Sequence, residues 1–203
     1  MRKRIVLVLT AIYLLTGCAG VEPERRAYPL VLGIDWQEGR YQMIYGMADL
    51  SAFTGQDKSG ESEVGKNTIL FEGETVQEIL QMYDRTQERY LDLGHIQAVI
   101  FGERLLNDNM KYEDILNYLE GESAVGDSAA VFRSGDPRSL LELNGSDVES
   151  LGMYLTGLYE NRLQDRRDEM VTLRSLYRSQ HEEEKVPPLP DLDVKEDFPR
   201  LSA

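Results

Sequence analysis

The sequence predicts an α/β (α+β) domain, with a mixed β-sheet of about five strands and helices packed on it, behind an N-terminal signal segment. Short apolar runs rich in β-branched and aromatic residues recur along the chain, which is typical of buried strands. Between these runs, apolar residues recur at helical spacing, which is typical of helices with one buried face. Of the 203 residues, 41% are hydrophobic, so the chain is able to bury a sizeable core.

Residues 1–17 have the pattern of an export signal. Basic residues follow Met1, and the apolar run at 5–15 is shorter than the roughly 20 residues that cross a bilayer as a helix. Small residues then precede the only cysteine, in the order Leu15-Thr16-Gly17-Cys18. This order resembles the bacterial lipobox, which implies a lipoprotein signal peptide, cleavage after Gly17 and a diacylglyceryl group on the Cys18 sulfur. The alternative is an ordinary signal peptide followed by a chance cysteine.

The first half of the mature chain predicts three strands. After a lipidated tether at residues 18–26, residues 28–36 and 41–50 read as an antiparallel hairpin around a turn at Glu38 and Gly39. Residues 51–66 are rich in Gly, Ser and charged residues and predict a mobile loop, after which 67–71 form the third strand. Alternation places four apolar side chains of the second strand on one face: Tyr41, Met43, Tyr45 and Met47.

A helix and the expected centre of the sheet come next. Thr75 and Glu78 have the spacing of a capping box, with Thr75 as the N-cap. The apolar spacing predicts a helix from there to about Tyr90, broken by Gly94. The apolar run at 96–101 predicts a strand at the centre of the sheet.

The second half predicts more helices around one short strand. A helix marked by Tyr112 ends near Gly121, residues 129–132 form the strand, and Asp136 caps a helix that begins with proline. Two further amphipathic helices are marked by apolar sets: Val148, Leu151, Leu155 and Leu158, then Met170, Leu173 and Tyr177. We take residues 27–182 as the domain. Residues 183–203 are predicted to be an extended acidic, proline-rich tail, linker or edge strand, because proline excludes helix there.

Composition excludes several functional classes. The formal net charge is −14, and loss of the three basic signal residues brings it to about −17. Such a surface repels phosphate, so we expect no nucleic-acid binding. It also repels an anionic leaflet, so lipid and partners must hold the protein at the membrane. With one cysteine, no intrachain disulfide is possible.

The motifs of common enzyme and metal sites are missing from the sequence. There is no glycine-rich phosphate loop, no Cys/His metal cluster and no Gly-x-Ser-x-Gly elbow, so we predict no catalytic residue, cofactor or metal. His95 precedes a buried strand and is predicted to be a hydrogen-bonded structural histidine, and His181 is predicted to be solvated. Tyr28, Tyr41 and Tyr45 are assigned to core and edge-strand packing rather than to a ligand groove. Asn144 opens a glycosylation pattern that is irrelevant in a bacterial lipoprotein.

Several segments together carry a family resemblance. They are Glu24-Arg25-Arg26-Ala27-Tyr28, Leu32-Gly33-Ile34-Asp35, Gly73-Glu74-Thr75, Leu93-Gly94-His95-Ile96 and Val99-Ile100-Phe101-Gly102-Glu103. Their order and spacing behind a lipobox resemble the Ger(x)C family, the lipoprotein C subunits of bacterial spore germinant receptors. The resemblance covers residues 18–200 and corresponds to the N-terminal domain of that family, whose members usually continue into further α/β domains.

The resemblance implies a non-enzymatic protein that acts in nutrient-triggered spore germination. It would be lipid-anchored on the extracytoplasmic face of a membrane, the spore inner membrane, and would contact two membrane-embedded receptor subunits. Cys18 is the only functional residue that the resemblance carries over. The alternative from another class is an exported solute-binding lipoprotein, and an enzyme ranks third. A deep pocket with convergent polar groups would favour solute binding, and a flat, partly apolar surface would favour a scaffold.

Overall fold

The computed structural model describes residues 22–48, 67–144, 148, 150–160, 170–182, 185–195 and 198–201. The predicted signal peptide, Cys18 and the predicted loop at 51–66 lie outside these residues. The predicted fold class is confirmed, because the described residues form a mixed five-stranded sheet with helices on both faces.

The strands are β1 (Arg26–Ala27), β2 (Pro29–Gln37), β3 (Arg40–Met47), β4 (Thr68–Gly73), β5 (Tyr90–Leu91), β6 (Ala98–Gly102), β7 (Ala130–Ser134), β8 (Leu192–Lys195) and β9 (Phe198–Leu201). The helices are α1 (Val76–Thr86), α2 (Glu103–Leu106), α3 (Asn109–Gly121), α4 (Pro137–Leu141), α5 (Leu151–Glu160) and α6 (Leu173–His181).

The main sheet has the order β4-β3-β2-β6-β7. Strand β2 is antiparallel to β3 and parallel to β6, and β6 is parallel to β7. The predicted hairpin and third strand are therefore confirmed. The central strand is β2, however, and not the strand within 96–101, because β2 pairs on one side with its hairpin partner and on the other with β6.

The turn between β2 and β3 has two residues with positive φ, Glu38 at 52° and Gly39 at 81°. Two successive left-handed residues match the twist of an antiparallel hairpin. The second of them is glycine, which adopts this conformation without steric cost. The turn aligns Trp36 with Tyr41 and fixes the register of the whole hairpin.

Helix α1 begins as predicted and ends earlier than predicted. The Thr75 hydroxyl accepts a hydrogen bond from the Glu78 backbone N–H at 3.2 Å, while the Glu78 carboxylate accepts one from the Glu74 N–H at 2.8 Å. The helix ends at Thr86 and not near Tyr90. Residues 90–91 instead form β5, which pairs in parallel with β1 and so takes this segment out of the helix.

The sheet separates two apolar layers. Alternate side chains of β2 divide between them: Leu32 and Ile34 face one layer and Val31 faces the other. The first layer includes buried residues of α1, α3 and α6, and the second includes those of α4 and α5. Tyr41, Met43 and Tyr45 lie together in the first layer, as the strand alternation predicts.

The segment predicted as a tail returns to the body of the domain. Residues 185–190 belong to no helix or strand, and β8 and β9 after them pair as an antiparallel hairpin. Leu192 is 1% exposed and lies in the second apolar layer. The backbone of Arg133 in β7 donates to the Pro190 carbonyl at 2.9 Å, so the preceding segment also covers the outer edge of the sheet.

Candidate functional site

Cys18 lies outside the described residues, so its lipidation stays a prediction. The described residue nearest to it is Glu22, which is followed by a 3₁₀ turn, Pro23–Arg25, and then by β1. The first candidate site is therefore the place where the tether joins the body. We call it the N-terminal junction and define it by Arg26, Tyr28, Asp92 and His95.

Arg26 and Asp92 form the central ion pair of the N-terminal junction. The Arg26 Nη1 donates to Asp92 Oδ2 at 2.6 Å, and the Asp92 backbone N–H donates to the Ala27 carbonyl at 2.9 Å. The hydrogen bond from Arg26 holds the pKa of Asp92 below its usual range, and the same bond raises the pKa of Arg26. Both groups are therefore ionised at neutral pH, and their bond ties the incoming tether to the turn before β6.

An aromatic contact completes the N-terminal junction. The Tyr28 and His95 rings meet edge to face with centroids 4.8 Å apart. The Tyr28 hydroxyl donates to the Pro23 carbonyl at 3.1 Å, which holds the 3₁₀ turn against the body. His95 differs from its prediction as a hydrogen-bonded structural residue: its side chain is 57% exposed, and its Nδ1 lies 3.9 Å from Asp92 Oδ1.

The opposite end of the sheet, at the C-terminal ends of β2 and β6, holds a buried carboxylate. Asp35 is 0% exposed and accepts hydrogen bonds from Arg104 Nε at 2.9 Å and from the Leu105 backbone N–H at 3.2 Å. A Cβ at Gly102 would collide with the Asp35 carboxyl group. Position 102 therefore requires glycine, because the Asp35 carboxylate occupies the space that a side chain there would need.

Beside this carboxylate lies an aromatic cluster. Trp36 and Tyr41 pack edge to face with centroids 4.6 Å apart, and the Lys111 ammonium lies 4.5 Å from the Trp36 ring centroid. Burial, helped by the neighbouring Asp114 carboxylate, raises the pKa of Tyr41 to about 12. Tyr41 therefore stays a neutral phenol that donates to Asp114 at 3.3 Å. This confirms the packing role predicted for Tyr41.

Surface groups elsewhere also contact each other. His181, predicted to be solvated, is 63% exposed and has its Nε2 2.8 Å from Glu120 Oε1. Arg174 binds Asp127 through two nitrogens, each at 2.9 Å. Among the residues that the structure describes, the exposed large apolar side chains are Tyr90, Met110, Met153, Val186, Val194 and Phe198. Within the described ranges, no three His, Cys, Asp or Glu residues are placed to hold a metal ion. Nor do the helices in those ranges include one long and apolar enough to cross a bilayer.

The sequence identified the segments around the N-terminal junction, but it did not predict the ion pair between Arg26 and Asp92. Arg26 and His95 lie within resemblance segments, whereas Asp92 lies just outside one. The signal that could have found the ion pair is a single acidic residue before the Leu93-Gly94-His95 turn, together with the basic pair Arg25-Arg26 at the end of the tether.

Comparison with known proteins gives one family. A family model described as the spore germination protein N-terminal domain matches residues 20–194. No curated protein and no solved structure matches the chain. The matched residues run from the tether to β8 and so include both apolar layers and the N-terminal junction.

Proposed function

The chain belongs to the spore germination protein N-terminal domain family, and from this membership we propose that it is a lipid-anchored, non-enzymatic subunit of a spore germinant receptor. The observation that carries the proposal is the family match over residues 20–194. In this role the protein is held on the extracytoplasmic face of the spore inner membrane through Cys18. It acts in nutrient-triggered germination by contact with membrane-embedded receptor subunits.

The carboxylates of the described body support a binding role over catalysis. Asp35, Asp92 and Asp127 each bind an arginine at 2.6 to 2.9 Å. The paired arginine lowers the pKa of Asp92 and of Asp127, whereas a general acid needs a raised pKa and access to substrate. The three pairs join distant segments of the chain, which supports a structural role for them and leaves surface contacts as the proposed basis of function.

The acidic surface supports the need for an anchor and for partners. With a charge of about −17 after signal removal, the body is repelled by an anionic leaflet. Acyl chains overcome this repulsion when at least two are present, because one chain gives only marginal binding. An embedded partner with a complementary surface then adds the contacts that lipid does not provide.

Gene deletion with complementation tests the proposal. Spores that lack the gene should germinate slowly with specific nutrients and normally with agents that bypass nutrient receptors. Wild-type complementation should restore the response, whereas Cys18→Ala should not, and mass spectrometry should show no acyl group and an uncleaved signal in that variant. Equal defects with both kinds of agent would contradict the receptor role, and a non-acylated wild-type terminus would contradict the anchor.

Calorimetry on the mature chain distinguishes the solute-binding alternative. A receptor subunit that works through neighbours should bind no free amino acid or sugar tightly. Micromolar binding of a nutrient would favour the exported solute-binding lipoprotein.

A further inference from the structure

We infer that the end of the sheet at which strands β2 and β6 begin faces the membrane and contacts its lipid headgroups. This edge consists of the N-terminal junction together with Arg25, Arg89 and Tyr90, and we call it the junction edge. The inference rests on the lipid anchor of the proposed function, and it adds which surface of the body the anchor brings to the bilayer.

The reach of the tether determines this orientation. The Tyr28 hydroxyl holds Pro23 beside the junction edge, so only four residues lie between the anchored Cys18 and a fixed point. The five Cα–Cα steps from Cys18 to Pro23 span at most about 18 Å. Strand β2 has nine residues, and its two ends are about 26 Å apart. The backbone of Cys18 therefore does not reach the plane of the opposite end of the sheet, at Trp36, while Pro23 keeps its contact.

The side chains of the junction edge suit a lipid–water interface. Tyr90 is 58% exposed and the His95 side chain 57% exposed. Tyrosine rings favour the headgroup level of a bilayer, because one end is apolar and the other forms hydrogen bonds. Arg25 and Arg89 are also exposed, and guanidinium groups bind phosphate oxygens in a bidentate manner.

Charge points to the same edge. Arg26 and Asp92 neutralise each other there. The exposed Arg25 and Arg89 nearly balance three exposed glutamates that are their neighbours in the sequence, Glu22, Glu24 and Glu88. The edge is close to neutral, whereas the mature chain carries about −17. An anionic leaflet therefore repels this edge less than it would repel a surface with the acidic balance of the whole chain.

Tryptophan fluorescence tests the orientation, because Trp36 is the only tryptophan of the chain and lies at the far edge. The mature protein, beginning at Cys18, is placed on phosphatidylethanolamine/phosphatidylglycerol vesicles whose acyl chains carry bromine, a short-range quencher. It is attached by its own acyl groups or, in a second preparation, by coupling the Cys18 thiol to a maleimide lipid. Wild type reports on Trp36, and Tyr90→Trp in a Trp36→Phe background reports on the junction edge.

We expect quenching of Tyr90→Trp to exceed that of Trp36 at least about twofold, because only the former lies at the interface. Met110→Trp in the same background is the matched control, since Met110 is 73% exposed and precedes Lys111, whose ammonium lies over the Trp36 ring at the far end of the sheet. It should be quenched less than Tyr90→Trp. Stronger quenching of wild-type Trp36 or of Met110→Trp than of Tyr90→Trp would overturn the inference. Equal quenching at all positions would overturn it as well.

The two preparations separate the inference from the anchor itself. A wild-type protein without acyl groups on Cys18 would refute the lipid anchor, while the maleimide-coupled chain would still show which edge meets lipid. The wrong quenching order on the coupled chain would refute the junction edge and leave the anchor intact.

Discussion

At the scale of single residues, Asn144 has a structural role that the sequence did not reveal. It is 1% exposed, and its Nδ2 donates to the carbonyls of Met47 at 3.1 Å and Asn67 at 3.2 Å. Its Oδ1 accepts from the Leu151 backbone N–H at 2.9 Å. One amide thus joins the end of β3, the residue before β4 and the first residue of α5.

Removing this amide should destabilise the domain. In Asn144→Ala the Met47 carbonyl and the Leu151 N–H lose the bond to this amide in a buried place, while the Asn67 carbonyl keeps its bond from the Met47 N–H at 2.6 Å. We therefore expect the free energy of unfolding to fall by about 3 kcal/mol. Urea denaturation followed by circular dichroism measures the change. Asn117→Ala is the matched control, because Asn117 is exposed and accepts one hydrogen bond from Gln180. A loss no larger than that of the control would show that water replaces the amide without cost.

The same scale shows why the candidate site was only partly predictable. Thr75 and Asp136 were identified as caps from residues within four positions of them, and the structure confirms both. Asp35 and Arg104 are 69 positions apart, and Arg26 and Asp92 are 66 apart. Local spacing carries no information on such pairs, because the fold brings them together. The lipidation predicted at Cys18 is untested by the structure.

At the scale of elements, periodicity predicted where strands and helices lie better than where they end. The apolar spacing after Thr75 continues beyond Thr86, yet the helix stops there and Tyr90 joins a parallel pair with Arg26. The stabilisation that this strand pairing provides depends on a segment distant in the sequence, so no local pattern of residues predicts it. For the same reason β6 was placed at the centre of the sheet, although its neighbour β2 has that position.

The β8–β9 hairpin offers a test at this scale. Its sequence reads as a polar tail, but Leu192 is buried among residues of α4 and α5. Leu192→Ala should therefore cost about 3 kcal/mol of unfolding free energy, as expected for a leucine removed from a packed core. Val194→Ala is the matched control on the same strand, since Val194 is 41% exposed and should lose less than about 1 kcal/mol. Similar small losses in both variants would mean that the hairpin is not part of the cooperative domain.

At the scale of the whole molecule, one sheet serves two cores. Val99 and Ile100 are neighbours on β6, both 0% exposed, and belong to opposite apolar layers. Each layer is covered by its own helices, so neither can form without the sheet that it shares with the other. This arrangement predicts that the two layers unfold together, even though no apolar cluster spans the sheet.

The pair of variants Val99→Ala and Ile100→Ala tests that coupling. Each removes methyl groups from one layer only and should lower the free energy of unfolding by about 2–4 kcal/mol. Because the layers share the sheet, both variants should still unfold in a single transition, with coincident midpoints by Trp36 fluorescence and by far-ultraviolet circular dichroism. Trp36 packs against the first layer, so independent layers would show themselves in Ile100→Ala. In that case the circular dichroism midpoint would fall below the fluorescence midpoint, and the two layers would be separate folding units.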